Sequence, residues 1–257
     1  MIAKSRLKNM LALRYKKFRD EQNLFLIEGY RLCQEALQSD FKVETLLIHS
    51  DSLSPQNLNE ITKLAQYQQV EIFEIQQSEV KRLAETVNSQ GVFCIVQQKK
   101  IELDTVLNKD NQLIVIISEG QDPGNVGTII RTCDWFGITA IFLSKRTVEL
   151  YNPKVIRSTM GSIFHVQIVE QVELDNLLPR LSQMGYHIFG TDVNGQYNYN
   201  QTNYPRPLAL VIGNENKGIN NNLFKYFDRT IKIPSYGKAE SLNMAIATSI
   251  IISRAIN

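Results

Sequence analysis

The chain has 257 residues, 43% of them hydrophobic and 21% charged, with a formal net charge of +2 and three cysteines. This composition fits a globular protein of one or two domains, and it neither requires nor excludes a nucleic-acid partner. Cys33, Cys94 and Cys133 are scattered, with no CxxC pair and no Cys/His cluster, which argues against a disulfide framework and a zinc site; no metal is expected. No apolar run approaches the ~20 residues of a membrane span, and the N-terminus lacks the apolar core of a secretory signal. A reducing, cytoplasmic setting is the expectation.

Residues 1–19 carry Lys4, Arg6, Lys8, Arg14, Lys16, Lys17 and Arg19 without an acid, and Leu7, Met10, Leu11 and Leu13 sit near helical spacing. A solvated helix face and a basic helix that grips phosphate both remain open. A transit peptide ranks behind them, because the segment is poor in Ser and runs straight into folded sequence.

From Phe25 to Val96 short strands and helices alternate. Strands are expected at Phe25 to Ile27, Val43 to His49, Val70 to Ile75 and Val92 to Val96. Helices are expected at Gly29 to Leu37, Ser54 to Gln68 and Ser78 to Glu85, the last opened by a Ser cap. His49, His165 and His187 stand alone and read as ordinary core or surface histidines. A polar stretch follows, with a short helix near Leu103 to Leu107. This sets the expected boundaries: an N-terminal α/β domain over 1–98, a linker over 99–112 and a second domain over 113–257.

Leu113 to Ser118 is wholly apolar, like a strand buried on both faces of a parallel sheet. A helix from Val126 to Phe136, a strand from Ala140 to Leu143 and a helical stretch from Val148 to Met160 follow. Further strands are expected at Ile163 to Val169, Tyr186 to Thr191, Leu208 to Ile212 and Thr230 to Ile233. Helices fall near Leu174 to Met184 and Asn220 to Tyr226. The alternation means an α/β domain with a mainly parallel sheet. Asp192 to Pro207 is one long polar loop. In the final stretch, Pro234 stops a strand, Gly237 allows a sharp loop and Ser241 stands at an N-cap position. The last helix is apolar nearly all round, so it is expected to be buried. Glu240, Ser241 and Asn243 at its mouth point to a site.

Three polar clusters follow apolar strands, at the sheet edge where open α/β folds bind ligands. They are Asp122 to Gly127 with Arg131, Gly213 to Gly218, and Ile233 to Ala247. The first has glycines at 120, 124 and 127, which is not the dinucleotide fingerprint. Lys145 and Arg146 follow the next strand where that fold wants an acid. A nicotinamide dehydrogenase is a poor fit, and a Walker phosphate loop is absent.

The three clusters together resemble the motifs of the SpoU (TrmH-type) RNA ribose methyltransferases, a branch of the SPOUT class. N-x-G-x-x-x-R is met by Asn125, Gly127 and Arg131. G-N-E-x-x-G is met by Gly213, Asn214, Glu215 and Gly218. I-P-x-x-G-x-x-x-S-L-N is met by Ile233, Pro234, Gly237, Ser241, Leu242 and Asn243, with Ser235 where Met is common. The resemblance covers Leu113 to Ala255, and Phe25 to Gly29 resembles the entry to the family's RNA-binding domain, itself similar to small α/β ribosomal proteins.

The resemblance implies a C-terminal trefoil knot, a homodimer and S-adenosylmethionine as cofactor. The cofactor would bind among Thr191, Ile212, Gly213, Asn214, Glu215, Ile231, Ile233, Ser241 and Leu242. It also implies a catalytic set of Arg131, Glu215, Ser241 and Asn243, with Glu215 orienting Arg131 or the motif loops. RNA, ribosomal before transfer RNA, would meet Asn125, Arg131, Lys17, Arg19, Arg157 and Lys217, with Lys4, Lys8, Lys16 and Lys154 nearby. Two other possibilities are a non-catalytic RNA-binding or ribosome-assembly protein on the same fold and a base-methylating SPOUT enzyme.

Overall fold

The computed structural model describes residues 2–107, 112–138 and 140–257. Part of the expected linker, 108–111, lies outside the described residues. The first elements in chain order are α1 (Lys4–Ala12), α2 (Lys16–Gln22), β1 (Leu24–Glu28), α3 (Tyr30–Gln38), β2 (Val43–Ile48), α4 (Pro55–Tyr67), β3 (Glu71–Glu74), α5 (Gln77–Leu83) and β4 (Val92–Gln97). Next come α6 (Leu103–Val106), β5 (Leu113–Ile117), α7 (Pro123–Trp135), β6 (Ala140–Ser144), α8 (Pro153–Thr159) and β7 (Gln167–Val172). The chain ends with α9 (Leu174–Gln183), β8 (His187–Thr191), β9 (Tyr197–Asn198), β10 (Leu208–Ile212), β11 (Arg229–Lys232) and α10 (Met244–Ile256).

Two compact units form, and no single cut separates them. One is Met1–Lys99 with Tyr151–Phe164; the other is Lys100–Leu150 with His165–Asn257. The linear boundary at 99–112 therefore misses a return of the chain. Tyr151 explains it. Its hydroxyl accepts from Lys99 N at 2.9 Å and donates to Lys99 O at 3.0 Å, and its ring lies 4.6 Å from that of Phe25. Phe164 meets Phe41 edge-on at 5.1 Å.

The first unit holds a four-stranded sheet in the order β1-β4-β2-β3, with β2 and β3 parallel and the other pairs antiparallel. Leu7, Met10 and Leu13 from the N-terminal segment join Leu47, Val80, Leu83 and Phe93 in one core cluster. The arginines of the basic stretch brace this unit. Arg6 pairs with Glu71. Arg14 donates to the carbonyls of Arg82, Leu83 and Ala84 at 2.6, 3.0 and 3.1 Å, satisfying the C-terminal end of α5. Helix α5 opens on Gln76, whose backbone N–H is held by Glu79 Oε2 at 2.8 Å, so the cap is Gln76 and not Ser78.

The second unit holds seven strands in the order β7-β6-β5-β10-β8-β11-β9, every adjacent pair parallel. Strands β5, β6 and β10 are buried at every position, which is why their sequences are continuously apolar. The expected strand from Ile163 starts later, at Gln167. Met160 (φ 51°) and Gly161 (φ 104°) end α8 in left-handed conformations, and Ser162–Phe164 is a 3-10 turn. Asn221–Tyr226 is likewise a 3-10 turn.

Two expectations for the last helix are corrected. Its N-cap is Asn243, whose Oδ1 accepts from Ala245 N at 2.9 Å and Ile246 N at 3.2 Å, so Ser241 is free of that duty. Nor is α10 buried all round: Ile246 is 54% and Ile256 43% exposed, while Met244, Thr248, Ile251 and Ile252 face the core.

Strand order places the site. The chain runs outward from β5 through β6 to β7, then returns to build β8, β10 and β11 on the other side of β5. The C-terminal ends of β5 and β10 therefore flank a point where connections diverge, the crevice at which such sheets bind ligands. Register keeps the ends level: Ile117 lies beside Ile212, Val211 beside Gly190 and Thr191 beside Ile231.

Candidate active site

The first loop leaves β5 through Glu119, which sits at φ 56° in the left-handed region. That conformation is uncommon for a residue with a side chain and is often stored at functional sites. It is pinned on both sides. Glu119 N donates to Ser144 Oγ at 2.9 Å, and Glu119 O accepts from Asn214 Nδ2 at 2.6 Å. Gly120 follows where a Cβ would lie 2.8 Å from Ile117 Cγ2 and 3.1 Å from Val126 Cγ2. Asp122 then caps α7, its Oδ1 accepting from Asn125 N at 2.8 Å, with Pro123 at the first helical position.

The second loop leaves β10 and folds on itself. Asn214 and Gly218 exchange two backbone hydrogen bonds of 3.0 Å, with Gly218 at φ 67°. Asn214 Oδ1 accepts from Asn216 N at 2.9 Å and Lys217 N at 3.1 Å, so one side chain organises the whole turn. At Gly213 a Cβ would stand 2.7 Å from Gly218 C and 2.8 Å from Ile219 N, backbone atoms that cannot give way.

Across the crevice the three motifs are joined by side chains. Asn243 Nδ2 donates to Asn125 Oδ1 at 2.8 Å, and Asn125 Nδ2 donates to Glu215 Oε1 at 3.0 Å. The amide of Asn125 is thus read in both senses, by a donor from the third motif and an acceptor from the second. Glu215 is thereby bonded to Asn125, and among the described residues it makes no hydrogen bond or ion pair with Arg131.

Arg131, on α7, is exposed, and among the described residues it makes no hydrogen bond or ion pair. Lys217, Ser241 and Leu242 are also exposed. Thr191 and Ile233 are half-buried at the ends of β8 and β11, and Ile212 and Ile231 are buried strand residues. Gly195, after β8, passes so close to β11 that a Cβ would lie 2.7 Å from Ile231 C and 2.9 Å from Lys232 N. The second unit thus brings together Asn125, Glu215 and Asn243, with Thr191, Gly213, Ile233 and Ser241 along the same sheet edge.

The remaining substrate candidates belong to the first unit. Lys4, Lys8, Lys16, Lys17 and Lys154 are exposed. Arg19 is not available for phosphate, a correction to the sequence expectation. It is 3% exposed and its Nη1 donates to Leu13 O and Arg14 O, both at 2.8 Å. Arg157 is paired with Glu85, so it would have to leave that partner to meet RNA.

Sequence reasoning missed Glu119 and the Asn125–Asn243 bond. A polar residue directly before an apolar helix is the one local signal for the Asn243 cap; nothing local marks the rest.

The sequence model of the SpoU rRNA methylase family matches residues 112–253, and that of an MRM3-like substrate binding domain matches residues 4–94. The 23S rRNA (guanosine(2553)-2′-O)-methyltransferase RlmP of Bacillus subtilis is 30% identical over 96% of this chain and 94% of its own. Among solved structures, the SpoU methyltransferase AviRb of Streptomyces viridochromogenes, in complex with AdoMet, superposes with a TM-score of 0.88 at 26% identity, covering 99% of this chain and 97% of that one. An AdoMet-bound rRNA methyltransferase of Sinorhizobium meliloti gives a TM-score of 0.88 at 28% identity, over 99% of this chain and 95% of that one.

Proposed function

The chain belongs to the SpoU rRNA methylase family, and we propose that it transfers a methyl group from S-adenosylmethionine to a ribose 2′-OH of ribosomal RNA. The observation that carries this is the hydrogen-bonded chain Asn243–Asn125–Glu215, which draws three motifs to one crevice and leaves Arg131 uncommitted.

The residues present fit the cofactor. Loops after β8, β10 and β11 end side by side, and Gly213 and Gly195 keep their backbones close where side chains would intrude. Thr191, Ile212 to Glu215, Ile231, Ile233, Ser241 and Leu242 would hold it largely through main-chain groups. When bound, the cofactor supplies an electrophilic methyl on a sulfonium.

The chain's own part is alignment and charge. In-line alignment of reacting atoms can supply several kcal/mol of the barrier. A guanidinium is a poor base because it stays charged throughout the physiological range, so Arg131 stabilises the negative charge that develops at the 2′ oxygen as its proton leaves, or holds a flanking phosphate. Glu215, Asn125 and Asn243 fix the loops about it. Ser241, exposed beside Asn243, hydrogen-bonds ribose or cofactor.

Three further features belong to this reading. The 192–207 loop supports a trefoil knot. It lies against β11 at Gly195 and against α10 through Arg206 Nη2 to Ala255 O at 2.7 Å, as a loop around a threaded C-terminal segment would. A homodimer would cover exposed apolar residues of α7 and α10, Trp135 at 84% and Ile246 at 54%. No helix among the described residues is long and apolar enough to cross a membrane; a cytoplasmic setting goes with the proposed ribosomal RNA substrate.

The test is transfer of labelled methyl from S-adenosylmethionine into RNA or ribosomal particles from an unmethylated strain. Label should survive alkali as a protected dinucleotide and vanish with Arg131→Ala. No label in any RNA, together with no cofactor binding, would leave the non-catalytic RNA-binding alternative.

A further inference from the structure

The turn between α1 and α2 presents two aromatic rings to solvent. Tyr15 is 68% and Phe18 37% exposed. They are three residues apart, and Phe18 N donates to Tyr15 O at 3.1 Å, so both belong to one tight elbow. Lys16 and Lys17 lie between them, both exposed, and Lys4 and Lys8 on the preceding helix are exposed as well. Lys17 touches Glu21 at 3.8 Å, an open i,i+4 pair that a phosphate can displace at little cost. Contiguous exposed apolar surface marks interaction sites, and this neighbouring pair of rings is framed by lysines rather than by an apolar rim.

The elbow is also rigid, at a cost. Arg19 is buried to 3% exposure and turns its guanidinium onto Leu13 O and Arg14 O, the two carbonyls just before Tyr15. Tyr15 N donates to Ala12 O at 2.9 Å, and Tyr15 O also accepts from Arg19 N at 3.3 Å. Leu13 is anchored in the core at 2% exposure. Burying a charged group to hold a surface turn makes sense where the turn's shape matters, since preorganised contacts lose less entropy on binding.

We propose that the Tyr15–Phe18 elbow is a stacking site for unpaired bases of the RNA substrate, with Lys16 and Lys17 taking the adjoining phosphates and Arg19 as the positioning residue. The proposal rests on the reading of the chain as an RNA methyltransferase and names residues of the first unit, outside the methyl-transfer motifs, that grip RNA. Aromatic platforms with basic flanks bind single strands because every base has a π-face and every nucleotide a phosphate.

The experiment is a fluorescence-anisotropy titration of the full chain with a short unstructured fluorescein-labelled RNA at several salt concentrations. Tyr15→Ala should weaken binding about ten- to a hundredfold without changing the salt dependence. Tyr15→Trp and Tyr15→Phe should bind like the parent. Lys16→Ala and Lys17→Ala should each reduce the salt slope by about one. Arg19→Gln should lose affinity as Tyr15→Ala does. Parent-like binding by Tyr15→Ala would overturn the proposal, and so would equal losses in Tyr15→Phe and Tyr15→Ala. A change in sedimentation of Tyr15→Ala would also overturn it, assigning the patch to a second copy of the chain. Methyl transfer measured alongside separates the two ideas. Absent transfer with Tyr15-dependent binding sinks only the catalytic reading, and normal transfer with Tyr15-independent binding sinks only the stacking site.

Discussion

Replacing Asn125 by Asp tests the central contact with almost no change of shape. The oxygen that accepts from Asn243 is kept. The donor to Glu215 is lost, and a carboxylate now stands about where the amide nitrogen stood, 3.0 Å from Glu215 Oε1. A hydrogen bond to a charged group contributes roughly 1.5–3 kcal/mol. Two like charges at that distance repel by about 1–5 kcal/mol as the effective dielectric falls from ~80 to ~20. Both residues are half-buried, so the screened end of that range applies, and the sum is about 3 kcal/mol at neutral pH. For a chain of this size that lowers the melting temperature by roughly 6–12 °C. The sign with pH follows from the pair sharing a proton. Its folded-state pKa is raised above the unfolded value, so folding is favoured below the unfolded pKa and stability is lost as pH rises through the folded one. Calorimetric melting of Asn125→Asp against the parent should therefore show a gap that narrows from pH 7.5 toward pH 5. The gap of Asn125→Ala should stay level. An Asn125→Asp chain that melts with the parent, or a gap that does not narrow on acidification, would refute the contact as an energetic link.

Gly213→Ala places a Cβ 2.7 Å from Gly218 C, so the 214–218 turn must open; calorimetric titration with S-adenosylmethionine should show at least a tenfold loss of affinity, with the melting temperature lowered as well. Arg19→Ala leaves the buried and partly buried carbonyls of Leu13 and Arg14 without their donor, and denaturant unfolding should register a loss of about 2–4 kcal/mol. Burial pushes the Tyr204 hydroxyl up to about 12 from its ordinary 10, with Arg254 opposing and Tyr199 adding to the rise. Its contribution is present below pH 10 and lost as pH climbs toward 12, so Tyr204→Phe should flatten the fall of stability in that alkaline window, measured by chemical denaturation.

The sequence carried the layered architecture because burial is written locally. Continuously apolar runs such as Leu113 to Ile117 and Leu208 to Ile212 are of the kind buried on both faces of a parallel sheet, and both are central strands. The errors were of a different kind. Ser241 and Asn243 are both good caps by residue type, and the choice between them depends on where the loop from β11 delivers the chain, which no local pattern states. Arg19 looked like its basic neighbours because charge is visible in sequence and burial of a single long side chain is not. Tyr151 to Phe164 joined the wrong unit for the same reason: a hydroxyl that bonds Lys99 from 52 residues away leaves no trace in periodicity.

The site was legible as three short motifs at strand ends, but its wiring was not. Asn125 finds Glu215 at a separation of 90 residues and Asn243 at 118. What brings them together is strand order: β10 is inserted beside β5, so the loops after those two strands face each other, and α10 returns to pack on α7, where Thr132 Oγ1 and Ser249 Oγ lie 3.1 Å apart. A single amide can then serve two partners only if both arrive from opposite sides of one crevice. Asn is the short side chain that donates and accepts at once, whereas Asp could only accept from Asn243 and Ser would not span to Glu215. The first motif therefore demands an amide at position 125 for a reason set by the topology of the whole sheet, and the same topology leaves Arg131, one turn and a half further along α7, exposed and without a partner among the described residues.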